Sequence, residues 1–316
     1  MKKLIMMLAA AFLVLSACGL SQGDPSSNGG GGSKQSANSG KNDAGPIVIS
    51  GKPFTEQRIL PYLLADYIKA KTDYPVQVRP AVGPTGALQT AITDGDIDMY
   101  VEYTGTGYLA VLKKHFKPGE SAKKIYKQTK QAYEKKYNLT WLAPLGFQNT
   151  YTLALRKGPA QKYGIKKASD IAPVSGKFKF GAPATFYGRA DGYDYMNKAY
   201  GFHFKDHVSM KPGLMYEALK KGEVDVIPAF TTDARIDKYN LATTVDNKHI
   251  FPPYYAAPVV RMDTLKAYPK LEDVLNQLKG KISAEEMRHM NGEVDIHKKK
   301  PEKVAKAFLK SKGLIK

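Results

Sequence analysis

An internal correspondence constrains the fold more than any other feature of this chain. Gly51-Lys52-Pro53 follows a β-rich run at 47–50, and Gly181-Ala182-Pro183 follows another at 177–180, the two glycines standing 130 residues apart. Gly86-Ala87-Leu88, leading to Gly95-Asp96-Ile97-Asp98 and then Tyr103-Thr104, is echoed at a constant offset of 127 by Gly213-Leu214-Met215, Gly222-Glu223-Val224-Asp225 and Phe230-Thr231. Read together, these describe one plan used twice: a strand, Gly-x-Pro, a helix, a Gly-acid-aliphatic-Asp turn and a strand ending in aromatic-Thr. Common βα turns can also resemble one another by chance. A chain of 316 residues has room for two such lobes. The ends of equivalent strands would then face a shared cleft, the place where open α/β sheets bind ligands.

The local pattern agrees. Short β-rich runs alternate with amphipathic helical ones, 47–50 then 55–70, 76–78 then 85–93, and 97–101 then 107–114. Such alternation predicts α/β layers with parallel pairing. Two extended stretches, 139–155 and 250–261, interrupt it and read as crossovers between lobes.

Enzyme chemistry finds little support in the residues. From residue 46 on the sequence has no G-x-S-x-G, and nowhere does it have H-E-x-x-H or G-x-x-x-x-G-K-[ST]. His203 and His207 have helical i, i+4 spacing but no third ligand in a motif, so they read as surface or core-edge histidines. Asp94-Gly95-Asp96-Ile97-Asp98 fails as a calcium loop, because Met99 stands where the turn needs Gly and Gly105 where the bidentate Glu belongs. The folded region is expected to hold no metal and no cofactor. It does offer aromatic residues at strand ends and crossovers: Tyr103, Tyr151, Phe230 and Tyr254. Ring faces carry negative quadrupole potential, so several arranged as a box favour a quaternary ammonium, which has no hydrogen to donate. Each alone could equally be a packing residue.

The N-terminus reads as an export signal. Met1-Lys2-Lys3 precedes an apolar run at 4–15, shorter than the roughly 20 residues a membrane span needs. The run ends in Leu15-Ser16-Ala17-Cys18-Gly19, which resembles the lipobox of bacterial lipoproteins. Residues 1–17 are then a signal peptide, Cys18 the lipidated first residue, and 18–45, rich in Gly, Ser and Asn, a flexible tether. Cys18 is the single cysteine, so no internal disulfide and no Cys-based metal site can form. The net charge of +19 fits a solvated basic surface facing an anionic envelope, the Lys-rich C-terminus being a solvated helix face; nucleic acid is not expected as a partner.

Gly51-Lys52-Pro53-Phe54-Thr55-Glu56-Gln57, Gly95-Asp96-Ile97-Asp98 with Glu102-Tyr103-Thr104-Gly105-Thr106, Gly146-Phe147-Gln148-Asn149-Thr150-Tyr151 and Phe251-Pro252-Pro253-Tyr254 occur in an order that resembles the substrate-binding proteins of osmoprotectant ABC importers. These are the receptors for glycine betaine, carnitine and choline. The resemblance implies a two-lobed periplasmic-binding-protein fold of type II, with one lobe from 46–147 plus 253–316, the other from 148–252, and a cleft between them. It places cage rings at Tyr103, Tyr151, Phe230 and Tyr254. Lys52, Thr106 and Arg189 would hold a ligand carboxylate, and Asn149 is a polar position beside the cage. The family usually has Tyr at the third cage position, so Phe230 keeps the ring face and loses a hydroxyl. By the same resemblance the protein is no enzyme but a monomeric receptor, lipid-anchored on the extracytoplasmic face of a bacterial cell membrane, that delivers its ligand to a membrane permease. An ergothioneine receptor of the same fold is the alternative ligand reading, and an envelope-binding adhesion module or a secreted hydrolase the alternative classes.

Overall fold

A computed structural model describes residues 45–79, 81–188 and 192–316. The expected signal segment, Cys18, nearly all of the tether and Arg189 lie outside these residues. Among the described residues there are ten strands: β1 (Ile47–Ser50), β2 (Val76–Val78), β3 (Met99–Tyr103), β4 (Leu139–Trp141), β5 (Tyr151–Arg156), β6 (Lys179–Ala182), β7 (Asp206–Ser209), β8 (Val226–Phe230), β9 (Leu241–Thr243) and β10 (Ala256–Arg261). They form two five-stranded sheets, ordered β2-β1-β3-β10-β4 and β7-β6-β8-β5-β9. In the first, β1 pairs parallel with β2 and β3, and β10 lies antiparallel between β3 and β4. The second repeats this arrangement, with β6 parallel to β7 and β8, and β5 antiparallel between β8 and β9. The duplication inferred from the sequence is present as one topology used twice, and each sheet adds an antiparallel strand to the parallel pairing anticipated. The mixed α/β, two-lobed class is the one expected.

The repeated turn has a physical reason in each lobe. Gly95 ends α2 (Thr85–Asp94) at φ 86° and Gly222 ends the helix Pro212–Lys221 at φ 82°. This left-handed conformation costs a residue bearing Cβ roughly 1–2 kcal/mol. Three residues on, an Asp pins the next strand to its neighbour. Asp98 accepts the Val48 N–H on Oδ2 and donates its own N–H to the Val48 carbonyl, both at 2.8 Å. Asp225 does the same to Lys179, at 2.9 and 2.8 Å. An arginine from the end of the antiparallel strand completes each corner. Arg156 Nη2 lies 2.6 Å from Asp225 Oδ1, while Arg261 Nη1 stands 3.9 Å from Asp98 Oδ1.

In the first lobe, α1 (Thr55–Lys71) contributes Ile59, Leu60, Leu63, Leu64 and Ile68 to one core cluster with Ile47 and Ile49 of β1. The Lys-rich C-terminal helix Pro301–Ser311 adds Val304, Ala305, Phe308 and Leu309 and packs on α1, leaving its basic face outward. Gly51 is required where β1 turns into α1, because a Cβ there would lie 2.1 Å from the Gln57 carbonyl oxygen.

Several boundaries differ from the sequence reading, and the run read at 97–101 is the strand Met99–Tyr103. Residue 177 closes a 3-10 helix, Ala168–Lys177, and β6 runs through Gly181 and Ala182, which pair with Val208 and Ser209. Gly181 is therefore a packing glycine: a Cβ would lie 2.9 Å from Val224 Cγ1. The helix anticipated at 107–114 is a single turn, Thr104–Thr106, continuing into a π-helix, Gly107–Val111, where a Cβ on Gly107 would meet the Trp141 ring at 2.6 Å.

Asp225→Ala leaves the Lys179 N–H without its carboxylate acceptor and Arg156 without its ion pair. It is expected to lower the unfolding free energy by about 1–3 kcal/mol, read from the urea midpoint; an unchanged midpoint would mean that the corner is not a structural pin.

Candidate functional site

The chain passes between its sheets twice, and the two passages pair with each other. Asn149 N donates to Tyr254 O at 3.1 Å, Ala256 N donates to Phe147 O at 3.2 Å, and Gln148 and Tyr255 form an antiparallel bridge. Beside this junction lies a cavity of about 750 Å³ lined from both lobes. The strands that end there are the equivalent ones, β3 and β8, joined by the start of β5 and the approach to α1.

Aromatic rings line the cavity as two stacked pairs, one on each lobe. Tyr151 at the start of β5 and Phe230 at the end of β8 are directly opposite in the antiparallel register, with centroids 4.7 Å apart and planes 27° apart. Tyr103 at the end of β3 stacks with Phe54 at 6.4 Å and 22°. Phe54 is 40% and Phe230 45% exposed, whereas Tyr103 is 4% exposed and Tyr151 is half-buried. Tyr254 comes from the returning passage and packs on Gly105, where a Cβ would lie 2.7 Å from its ring.

The polar residues make a graded set. Thr106 and Asn149 line the cavity. Lys52 lines it too, but its ammonium is 2.6 Å from Glu102 Oε1, both side chains are buried, and Nζ lies 5.1 Å from the centroid of Tyr103. Glu102 also accepts the Tyr103 N–H at 2.7 Å and the Thr85 hydroxyl at 3.2 Å, so this lysine is held in place with its charge balanced. Arg235, the other cation among the described lining residues, is likewise paired, at 2.9 Å from Asp233 Oδ2, which also accepts the Tyr216 hydroxyl at 2.7 Å.

The structure thus brings Lys52, Tyr103, Thr106, Asn149, Tyr151, Phe230 and Tyr254 to one cavity, while Arg189 is outside the described residues. Several lining residues had not been singled out from the sequence: Phe54, Glu56, Thr232, Asp233, Asn291 and Asp295. Glu56 is 1% exposed and sits in the first turn of α1. It accepts the Tyr103 hydroxyl, Asn149 Nδ2 at 3.1 Å and Asn291 Nδ2 at 3.4 Å. Burial pushes its carboxyl above the ordinary carboxylate range, and bonds from Tyr103, Thr232, Asn149 and Asn291 pull it back. Asn291 also donates to the Thr232 carbonyl at 2.9 Å, tying the helix Ala284–Asp295 to the second lobe. The signal for Glu56 and Phe54 was their place beside Lys52 in the Gly51–Gln57 motif; Asn291 and Asp295 had none.

Comparison with known proteins agrees with this geometry. Residues 45–311 match the family model for the substrate-binding domain of ABC-type glycine betaine transport systems. A Helicobacter pylori ergothioneine transport permease/ergothioneine binding protein, EgtU, is 38% identical over 270 residues, covering 85% of this chain and 48% of that protein. The present chain therefore spans about half the length of that relative. A Listeria monocytogenes carnitine transport binding protein, OpuCC, is 36% identical, with 83% of this chain and 85% of that protein aligned. A crystal structure described as a glycine betaine/carnitine/choline ABC transporter superposes with a TM-score of 0.80 at 33% identity, covering 85% of this chain and 99% of that one. Two lobes of one topology, an aromatic cavity between them and a family match over nearly all of the described residues lead to one conclusion: the chain belongs to the substrate-binding domains of ABC-type glycine betaine transport systems.

Proposed function

We propose that the protein is the receptor of an ABC importer for a quaternary-ammonium compound, with betaine-type osmolytes as the leading ligands. The observation that carries this reading is the presence of a stacked aromatic pair on each lobe at one cavity. A trimethylammonium group offers no N–H, so ring faces are its natural partners, each worth roughly 0.5–2 kcal/mol when desolvated. Tyr103, Tyr151, Phe230 and Tyr254 form the cage in this proposal, with Phe54 as a fifth ring. Lys52, Thr106, Asn149 and Arg189 serve the ligand's polar end. Because Lys52 is already paired with Glu102, Arg189 carries the larger share of carboxylate recognition.

A ligand that touches both pairs stabilises the closed arrangement by its differential affinity for that state. Closure pivots on the paired passages, with lobes of 46–147 plus 253–316 and of 148–252. The loaded receptor then delivers its ligand to a membrane permease. Anchored through a lipid on Cys18, it acts as a monomer on the extracytoplasmic face, neither turning its ligand over nor needing a cofactor.

Ergothioneine is the second reading. The Helicobacter pylori relative is named for it, and the open face of Phe230 beside Asp233 suits a ring that carries N–H donors.

Isothermal titration of residues 46–316 with glycine betaine, carnitine, choline, proline betaine and ergothioneine tests both. Saturable binding of one of them, with a dissociation constant on the order of micromolar, about −8 kcal/mol, is expected. Silence across the panel, with salt-sensitive binding to anionic polymer instead, would favour an adhesion module. Tyr151→Ala, and Tyr103→Ala in parallel, are expected to weaken the bound ligand by about tenfold or more with the fold kept; wild-type affinity in both would remove the cage assignment. Gly105→Ala, which forces Tyr254 aside without adding or removing a charge, is expected to weaken binding several-fold in the same titration.

A further inference from the structure

Glu56 is the buried ionisable group that the cage description leaves unexplained. Its partners arrive from four places: Tyr103 from β3, Asn149 from the outgoing passage, Asn291 from the helix Ala284–Asp295 and Thr232 from the second lobe. Each offers a hydrogen to the carboxyl. An ionised carboxylate accepts from all four at once, whereas a neutral acid turns one of its oxygens into a donor and must redirect a partner that now donates to it. The Tyr103 phenol is held well above its ordinary range by burial and by Glu56, so it remains a donor and the charge stays on the carboxylate. A phenol that donates to an anion feeds electron density into its ring, and the ring face becomes more negative.

We propose that Glu56 is a positioning residue of the binding site, an ionised carboxylate that fixes the Tyr103 ring through its hydroxyl and sets the preference for a permanent cation over an uncharged ligand of the same shape. This rests on the quaternary-ammonium reading given above. Of the other charged groups around it, Lys52 is paired with Glu102, Arg235 with Asp233 and Arg288 with Asp237, while Asp295, a second carboxylate of the cavity, accepts the Thr55 hydroxyl at 2.5 Å. No histidine lines the cavity among the described residues. A bound cation stabilises the ionised form of Glu56 and so lowers its pKa. Affinity is therefore full above the raised pKa of the free protein and falls as the pH drops through it, with a proton released on binding in that range.

Two pairs of probes read the charge alone. Choline and 3,3-dimethylbutan-1-ol share a shape, as do glycine betaine and 3,3-dimethylbutanoate; both cations keep their charge between about pH 5 and pH 8, and the choline pair, which has no carboxyl to titrate, is the one followed to the low-pH end. Titration calorimetry in buffers of different ionisation enthalpy gives affinity and proton release together. In the wild-type protein the cation is expected to be preferred, with the preference shrinking towards low pH. In Glu56→Gln the preference is expected to fall by about tenfold and to lose its pH dependence, and Tyr103→Phe, which keeps the ring, should lose a smaller part of it. A Glu56→Gln protein with wild-type preference and pH profile would overturn the proposal. Should that variant not fold, the wild-type protein still decides the matter, because cation binding without proton release at low pH would overturn it equally. Carnitine or ergothioneine, if bound in place of the two cations, is read by proton release in the same way. If no quaternary ammonium binds the wild-type protein, the receptor reading itself fails and this inference falls with it.

Discussion

Between its sheets the chain runs antiparallel to itself, and the cavity depends on that contact. The hydrogen bonds from Asn149 to Tyr254 and from Ala256 to Phe147 fix the outgoing and returning passages side by side. Tyr151 begins one residue after the outgoing passage and Tyr254 belongs to the returning one, so two of the rings are placed by the junction rather than by either lobe's core. Thr231 extends the same arrangement, accepting the Thr150 N–H at 3.2 Å and donating its hydroxyl to the Gln148 carbonyl at 2.7 Å. Two passages paired in this way can bend about a shared axis but resist sliding, because sliding would break bonds that water reaches poorly.

What could be read from the residues was what local backbone chemistry imposes. Gly95 and Gly222 were legible because a left-handed helix end selects glycine, and Asp98 and Asp225 because a carboxylate that pins a neighbouring strand must stand at a fixed distance from that glycine. The rings that line the cavity were legible as aromatic residues at strand ends and crossovers, and only a family pattern set them apart from the rest of the 32 tyrosines and phenylalanines. Gly181 misled for a physical reason. A glycine after a β-rich run reads as a turn, yet here it is the residue small enough to sit beneath Val224.

Glu56 was legible only as a member of the Gly51–Gln57 motif, not as a buried acid. An acid in the first turn of a helix is ordinarily an exposed residue favoured by the helix dipole. Its burial arises from Asn149, Asn291 and Thr232, which come from distant segments. The charge of the whole chain was equally uninformative about the site. A protein of net charge +19 lines its cavity, among the described residues, with three carboxylates, Glu56, Asp233 and Asp295, against two cations that are both already paired. The sign of the surface charge is thus no guide to the sign of the cavity lining.

The shared topology of the two sheets has a consequence for how the chain matures. In the second sheet the antiparallel strand β5 comes first, and all five strands follow one another in sequence. The counterpart in the first sheet is β10, which lies between β3 and β4 and is the last of the described strands along the chain. The second sheet can therefore close from one contiguous stretch, whereas the first remains split, with β3 and β4 unjoined, until β10 joins them across the whole second lobe. The N-terminal half is thus kept from completing its core early, and the lobe begun first is the lobe finished last.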